Sequence, residues 1–261
     1  MISNRKQIDL LGDAKSVADG TQKDGRANDN HTTLASTTES RDKFPVRRVS
    51  SVGRLLRHRL RAMIPEAIRA RIRPYRKPDI SQEQWEQGYR DGCWSHLQNA
   101  RELAHYSVIT GYYMHYRPGG SLLDVGCGEG VLQRRLRALG YARYLGIDSS
   151  QEAITRAQTE ADARTEFRCA DAETFMPADQ FDVIIYNEIL YYLKDPVDVV
   201  RRLAHALDPA GVAIVSMLRW TSSRRIWRSL EGTMRIADGV TVTHPNVGSW
   251  DVKLIRQPDI L

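Results

Sequence analysis

Apolar residues are sparse and without rhythm over residues 1–42, and become periodic after that. Leu56, Leu60, Met63, Ile64, Ile68 and Ile72 recur at helical spacing with arginines on much of the other face. Pro65 divides or kinks that helix, because proline removes a backbone donor and clashes one turn back. Gln82–Tyr116 reads as a helix carrying Trp85, Tyr89, Trp94, Leu97, Leu103, Tyr106 and Ile109, and Pro118-Gly119-Gly120 ends it. Short apolar runs then alternate with amphipathic ones. Ser121–Val125 predicts a buried strand, and Val131–Leu139 a helix stopped by Gly140. Tyr144–Ile147 is a second strand ending at Asp148, and Ser149 with Glu152 has the spacing of a capping box for the helix after it. Thr165–Arg168 is a short third strand ending near Asp171, and Phe181–Tyr186 a fourth. Asp195-Pro196 opens a helix whose buried stripe is Val200, Leu203 and Leu207, and Gly211–Ser216 follows as a fifth strand. Val240–His244 and Trp250–Ile255 close the chain as two strands with no helix between them.

Strands alternating with helices imply a parallel sheet covered on both faces. The closing pair must be antiparallel, since a parallel crossover needs about a dozen residues or more. The expected fold is therefore α/β: a Rossmann-like, seven-stranded, mostly parallel sheet with one antiparallel strand near its edge and helices on both faces. Three regions follow: a disordered tail over 1–42, a basic amphipathic helical arm over 43–80, and one domain over 81–261. The tail lacks the apolar surface needed to offset its ordering entropy.

Charge sharpens the division. The net charge of +6 belongs to the arm, since residues 41–80 hold 13 Lys and Arg against 3 Asp and Glu, whereas residues 81–261 hold 20 against 23. A basic amphipathic stretch over 51–77 suits an anionic membrane surface or a protein partner, or it rests its apolar stripe on the domain. The arm interleaves no aromatics for base stacking, and the domain has no evident phosphate-binding surface, which argues against nucleic acid. Cys93, Cys127 and Cys169 form no CxxC pair, so neither a disulfide framework nor a metal site is expected, and a reducing compartment fits. With no secretory leader and no apolar run of about 18 residues, the expected location is cytoplasmic, with the arm able to touch the inner face of a membrane.

In an open parallel sheet the ligand crevice lies beyond the carboxyl ends of the strands. Asp124–Gly130, Asp148, Asp171-Ala172 and Asn187-Glu188 all fall at such ends. Glycines in the first loop admit a ligand to the backbone, and an acid ending the second strand can accept hydrogen bonds from two ribose hydroxyls. Asp148, 22 residues beyond Gly126, occupies that place.

This arrangement resembles the class I S-adenosylmethionine-dependent methyltransferases over roughly Trp85 to Ile255, with Leu122-Leu-Asp-Val-Gly-Cys-Gly-Glu-Gly130 similar to that family's first motif. The resemblance implies that Asp124, Gly126 and Gly128 surround the methionine part of S-adenosyl-L-methionine and that Asp148 holds the ribose. It further implies that Asp171 and the Ala172 backbone meet the adenine, and that the Asn187 carbonyl meets the methionine amino group. The fourth strand lacks the (D/N/S)-P-P-(Y/F) motif of base-methylating enzymes. Its Glu-Ile-Leu-Tyr-Tyr-Leu continuation is instead similar to small-molecule methyltransferases, including those that N-methylate an amino sugar.

The expected activity is methyl transfer to an oxygen or nitrogen of a small polar metabolite, sugar-like or other. Glu188 and His244 are the candidate catalytic groups. Arg219, Trp220, Tyr191 and Tyr192 are candidate pocket walls, and Trp85 and Tyr89 a candidate lid. Competing readings are a cofactor-binding module without catalysis and an RNA methyltransferase recruited by the arm. A third, a nicotinamide-dependent oxidoreductase, is disfavoured by Val131, where its fingerprint wants Gly or Ala.

Overall fold

A computed structural model describes residues 80–256, all of which lie in one compact unit. The tail over 1–42 and the arm up to residue 79 lie outside the described residues. Among the described residues no helix is long and apolar enough to cross a membrane.

Helix α1 (Gln82–Arg90) starts at a capping box, in which Ser81 and Gln84 satisfy each other's backbone N–H groups. The single helix expected over Gln82–Tyr116 is in fact interrupted. Gly92 takes a left-handed conformation (φ 68°), its N–H donates to the Tyr89 carbonyl, and the Cys93 N–H donates to that of Gly88. That is the glycine-terminated helix end in which two orphan carbonyls are satisfied at once. Two 3₁₀ turns (Ser95–Gln98 and Ala100–Glu102) lead into α2 (Leu103–Tyr116).

The alternation then proceeds through β1 (Leu122–Val125), α3 (Val131–Arg137), β2 (Tyr144–Asp148), α4 (Gln151–Gln158), β3 (Thr165–Cys169) and β4 (Phe181–Asn187). It finishes with a 3₁₀ turn (Leu190–Tyr192), α5 (Pro196–Ala204), β5 (Leu207–Leu218), α6 (Thr221–Glu231), β6 (Arg235–His244) and β7 (Gly248–Arg256).

The strand order is β3-β2-β1-β4-β5-β7-β6. All pairs from β3 through β5 are parallel, and β7 runs antiparallel to both its neighbours. The expected seven-stranded sheet, with one reversed strand beside its edge, is what forms.

Strand periodicity splits the interior in two. Val183 and Ile185 of β4 pack with Tyr106, Ile109 and Tyr113 of α2 and with Leu132 and Leu136 of α3. Ile184 and Tyr186 point the other way, onto Val200 and Leu203 of α5 and Trp227 and Leu230 of α6. Each face is thus covered by helices, so the strand ends stay the accessible part of the sheet.

Three local expectations change. The N-cap of α4 is Ser150, whose hydroxyl accepts from the Ala153 N–H at 3.1 Å, and not Ser149. Glu152 does not close a capping box but pairs with Arg156 at 3.0 Å. Leu207 belongs to β5, because α5 ends at Ala204. Helix α6 was not anticipated, although Ile226, Trp227 and Leu230 bury one face of it.

Candidate active site

The loop after β1 turns on glycines. Gly126 sits at φ 74°, and a Cβ there would lie 2.7 Å from Cγ1 of Ile189. The backbone amides of Gly126 and Cys127 both donate to the Ile147 carbonyl, tying the loop to the end of β2. At that end the Asp148 carboxylate accepts from the Gly128 N–H at 3.0 Å and the Ser150 N–H at 2.9 Å. Burial raises this carboxyl to about 6, opposed by those two backbone bonds and assisted by the nearby Glu86. The glycine loop and the acid that ends β2 are therefore in direct contact.

Two cavities meet at Gly126. The first, about 860 Å³ including its solvent mouth, is lined by Asp148, Asp171 and Ala172 together with Gln82 and Leu193. Arg202 shapes its floor, donating to the carbonyls of Ala172 at 2.7 Å and Glu173 at 3.0 Å, and to that of Phe175. The second, about 890 Å³ on the same basis, is lined by Asp124, Gly126, Gly128, Asn187 and Glu188 among others. Trp85, Gly126, Ile189 and Tyr192 line both, and Trp85 meets Tyr192 edge-on at 4.9 Å.

Helix α1 covers this junction, as a lid over the cofactor would. It is fixed by Glu86, whose carboxylate accepts from the Ser150 hydroxyl at 2.7 Å, the Gln151 N–H at 2.9 Å and the Glu152 N–H at 3.0 Å. A carboxylate at the start of α4 also meets the positive end of that helix. Gln82 adds a bond to the Ser149 carbonyl at 2.6 Å. Tyr89 lines the second cavity, and its hydroxyl lies 3.1 Å from where a Cβ on Gly128 would stand.

The inner end of the second cavity is rich in titratable groups. Asp124 is buried and accepts from the Tyr144 hydroxyl, and burial lifts its carboxyl to about 7. Glu188 follows β4 with a positive φ of 59° and accepts from the Tyr191 hydroxyl at 2.7 Å. Burial raises it to about 8, against the pull of Tyr191, the Leu218 backbone and the Trp250 indole. Glu102, from the second 3₁₀ turn, is buried beside them and raised by burial to about 7. His96 also lines the space and is lowered by burial. Behind them His105 stacks on Trp250 at 4.8 Å, and burial depresses it to about 3, so it stays neutral. The Asn187 side-chain oxygen is buried without a hydrogen-bond partner, leaving an acceptor free in the wall of the second cavity.

Asp124, Gly126, Gly128, Asp148, Asp171, Ala172, Asn187 and Glu188 are thus drawn together around two joined spaces. The structure does not bring His244 to them. It ends β6 opposite Gly248, its Nδ1 accepts from the Asn246 N–H at 3.2 Å, and it lines neither cavity. Arg219 and Trp220 also stay outside: Arg219 pairs with Asp251 at 3.3 Å, and Trp220 packs on Tyr191 at 5.0 Å. Sequence reading missed Glu102, His96 and Glu86. The interruption that aims the first two inward was signalled only by Gly92. Among the described residues no cluster of His, Cys, Asp and Glu could hold a metal ion.

Known proteins match the same region. Residues 123–215 match a family model described as a methyltransferase domain. A ubiquinone biosynthesis O-methyltransferase of Bradyrhizobium diazoefficiens is 34% identical over 114 residues, covering 42% of this chain and 43% of the relative. Its counterpart in Rhodopseudomonas palustris is 32% identical over 140 residues, 52% of this chain and 49% of the relative. The chain thus spans less than half the length of these curated relatives. Among solved structures, the N-methyltransferase NodS from Bradyrhizobium japonicum, in complex with S-adenosyl-l-homocysteine, superposes with a TM-score of 0.61 at 21% identity. That superposition covers 69% of this chain and all of NodS, and it shares the fold. Glycine loop, the acid that ends β2, strand order and the matched segment agree: residues 123–215 match a methyltransferase domain, and the described residues share the fold of a methyltransferase solved with S-adenosyl-l-homocysteine.

Proposed function

We propose that this protein transfers a methyl group from S-adenosyl-L-methionine to an oxygen or nitrogen of a small acceptor. The observation that carries this is the junction at Gly126. On one side lies a cavity bearing the acids that suit an adenosine, and on the other an aromatic chamber bearing Glu102 and Glu188. The residues present suit the cofactor. The ribose hydroxyls find Asp148, the adenine Asp171 and the Ala172 backbone, and the methionine end Asp124 and the backbone carbonyl of Asn187, whose side-chain oxygen is also unpartnered. Bound there, the cofactor supplies an electrophilic methyl group.

The protein's part is positional. Gly126 lets the ligand approach the backbone, Trp85 and Tyr192 close the junction against water, and the chamber holds the acceptor atom facing it. Fixing two reactants in line removes most of the entropic barrier. Glu188 is the candidate to take a proton from the acceptor, and burial, by raising it, moves it toward the neutral range in which such a group works best. The chamber wall (Trp85, Trp94, Leu97, Tyr106 and Trp250) packs against flat apolar surface, either an aromatic body or the apolar face of a sugar ring.

Calorimetric titration with S-adenosylhomocysteine tests the cofactor half. Micromolar-range binding is expected, weakened by about tenfold or more in Asp148→Ala through loss of charge-assisted hydrogen bonds. Absence of binding by the wild-type chain would overturn the proposal.

A further inference from the structure

The chamber holds more acid than the cofactor needs. Glu102 is 3% exposed and lines it, yet no donor among the described residues stands within hydrogen-bonding distance of its carboxylate. Its nearest basic atoms are Arg101 Nε at 3.9 Å and Nδ1 of the neutral His105 at 3.8 Å. Glu188 enters the same space from the end of β4, close enough to Glu102 for the two charges to oppose each other. Around them the wall is aromatic: Trp94, Tyr106 and Trp250, with Trp85 stacked on Trp94 at 5.3 Å. Arg135 lies over the Tyr106 ring, and neither it nor any other Lys or Arg lines the chamber. Of the other two acids of the lining, Asp124 already accepts from the Tyr144 hydroxyl and Glu129 is matched by Arg156 at 2.8 Å.

Two carboxyls in an apolar enclosure cannot both ionise without matching counter-charge, and Arg101, 3.9 Å from Glu102 and outside the chamber lining, offers a single one. An ammonium group provides one: it offers several N–H donors, and ring faces attract its charge. A hydroxyl offers one donor and no charge, and an anionic acceptor would be repelled.

We propose that the chamber selects an acceptor bearing a primary or secondary amine, held by Glu102 and Glu188 against the rings of Trp94 and Trp250. This rests on the methyl-transfer reading and gives it a substrate class. The amine enters as an ammonium and must shed a proton to become a nucleophile. One N–H bond breaks with its electrons staying on nitrogen as the lone pair, and an O–H bond forms on the adjacent carboxylate.

The test titrates the full-length protein with benzylamine, benzyl alcohol and benzoate by calorimetry, with and without S-adenosylhomocysteine. Benzylamine is expected to bind about tenfold or more tighter than benzyl alcohol, with benzoate weakest. Glu102→Gln combined with Glu188→Gln should erase most of that margin while the circular dichroism spectrum stays native. Benzyl alcohol binding as tightly as benzylamine, or a margin that survives the double substitution, would overturn the inference. If the double variant does not fold, the order of the three ligands on the wild type decides alone. The two readings separate cleanly. Homocysteine-adduct binding without amine preference ends this inference only, whereas amine preference without it ends the methyl-transfer reading and leaves an amine site.

Discussion

Glu188→Gln removes a proton equilibrium while keeping the shape of the side chain, and its effect on stability can be worked out from the structure. Burial lifts the Glu188 carboxyl from an ordinary 4.5 to about 8. A carboxyl with a raised folded pKa keeps its proton in the native state after the unfolded chain has lost it. The folded state is therefore favoured at low pH and loses that advantage as pH climbs from the unfolded value through the folded one. Burial lowers both His96 and His105, so these two are neutral in the native state above about pH 6.5, and the stability they add as their unfolded forms lose protons, complete by about pH 7.5, is common to wild type and Glu188→Gln. From about pH 6.5 to about pH 8.5, Glu188 accounts for roughly 2 kcal/mol at most, at about 1.4 kcal/mol per pH unit until its proton is gone. Water in the open chamber screens part of that. In a domain of this size about 1 kcal/mol moves Tm by roughly 2–4 °C, so the ligand-free wild type should lose up to about 4–8 °C across the window through this group. Glu102 and Asp124, both raised to about 7, add smaller drops of the same sign. Scanning calorimetry of wild type and Glu188→Gln in one buffer series reads the difference. Identical slopes for the two proteins, or a wild type that melts higher at the alkaline end, would refute the assignment of a buried proton to Glu188.

Two further substitutions probe the cofactor side. Gly126→Ala forces a left-handed conformation on a residue with a side chain, about 1–2 kcal/mol, and drives its Cβ against Ile189, about 1–3 kcal/mol more. Denaturant unfolding should show a loss of roughly 2–5 kcal/mol, and a variant as stable as wild type would mean that the loop is not held as described. Glu86→Ala releases α1 from the start of α4 and should weaken S-adenosylhomocysteine by about three- to tenfold with little change in Tm. Unchanged affinity would show that the lid closes without that latch.

The sheet was legible because strand and helix periods differ, and β1, β2 and β4 are buried enough to read as continuous apolar runs. The reversed β7 followed from loop length alone, since His244 and Gly248 leave no room for a crossover. Misreadings fell where local and tertiary forces compete. Gln82–Tyr116 has enough large apolar residues to look like one helix, but Trp94 and His96 reach the interior only if the chain turns at Gly92. The cap of α4 moved one residue because the Asp148 carboxylate already takes the Ser150 N–H, fixing where β2 ends. Helix α6 has a heavily basic sequence, and its order comes from Trp227 and Leu230 packing on the far face of the sheet.

The cofactor half and the acceptor half of the site differ in how sequence encodes them. In the proposed site the cofactor is met largely by backbone, and a backbone that must turn sharply beside a ligand needs glycine, so Gly126 and Gly128 are visible as letters. Asp148 is visible because strand length fixes its distance from them. The acceptor half has no such rule. Glu102 reaches the chamber from a 3₁₀ turn, Glu188 from a strained residue after β4, and Trp250 from the reversed strand, three elements whose meeting depends on the whole sheet closing. Nothing in their spacing along the chain announces that two carboxyls will share an aromatic enclosure. A carboxyl buried with no hydrogen-bond donor and its nearest cation 3.9 Å away is nevertheless costly. For that reason Glu102, silent in the sequence, is the residue in this structure whose surroundings say most about the acceptor proposed above.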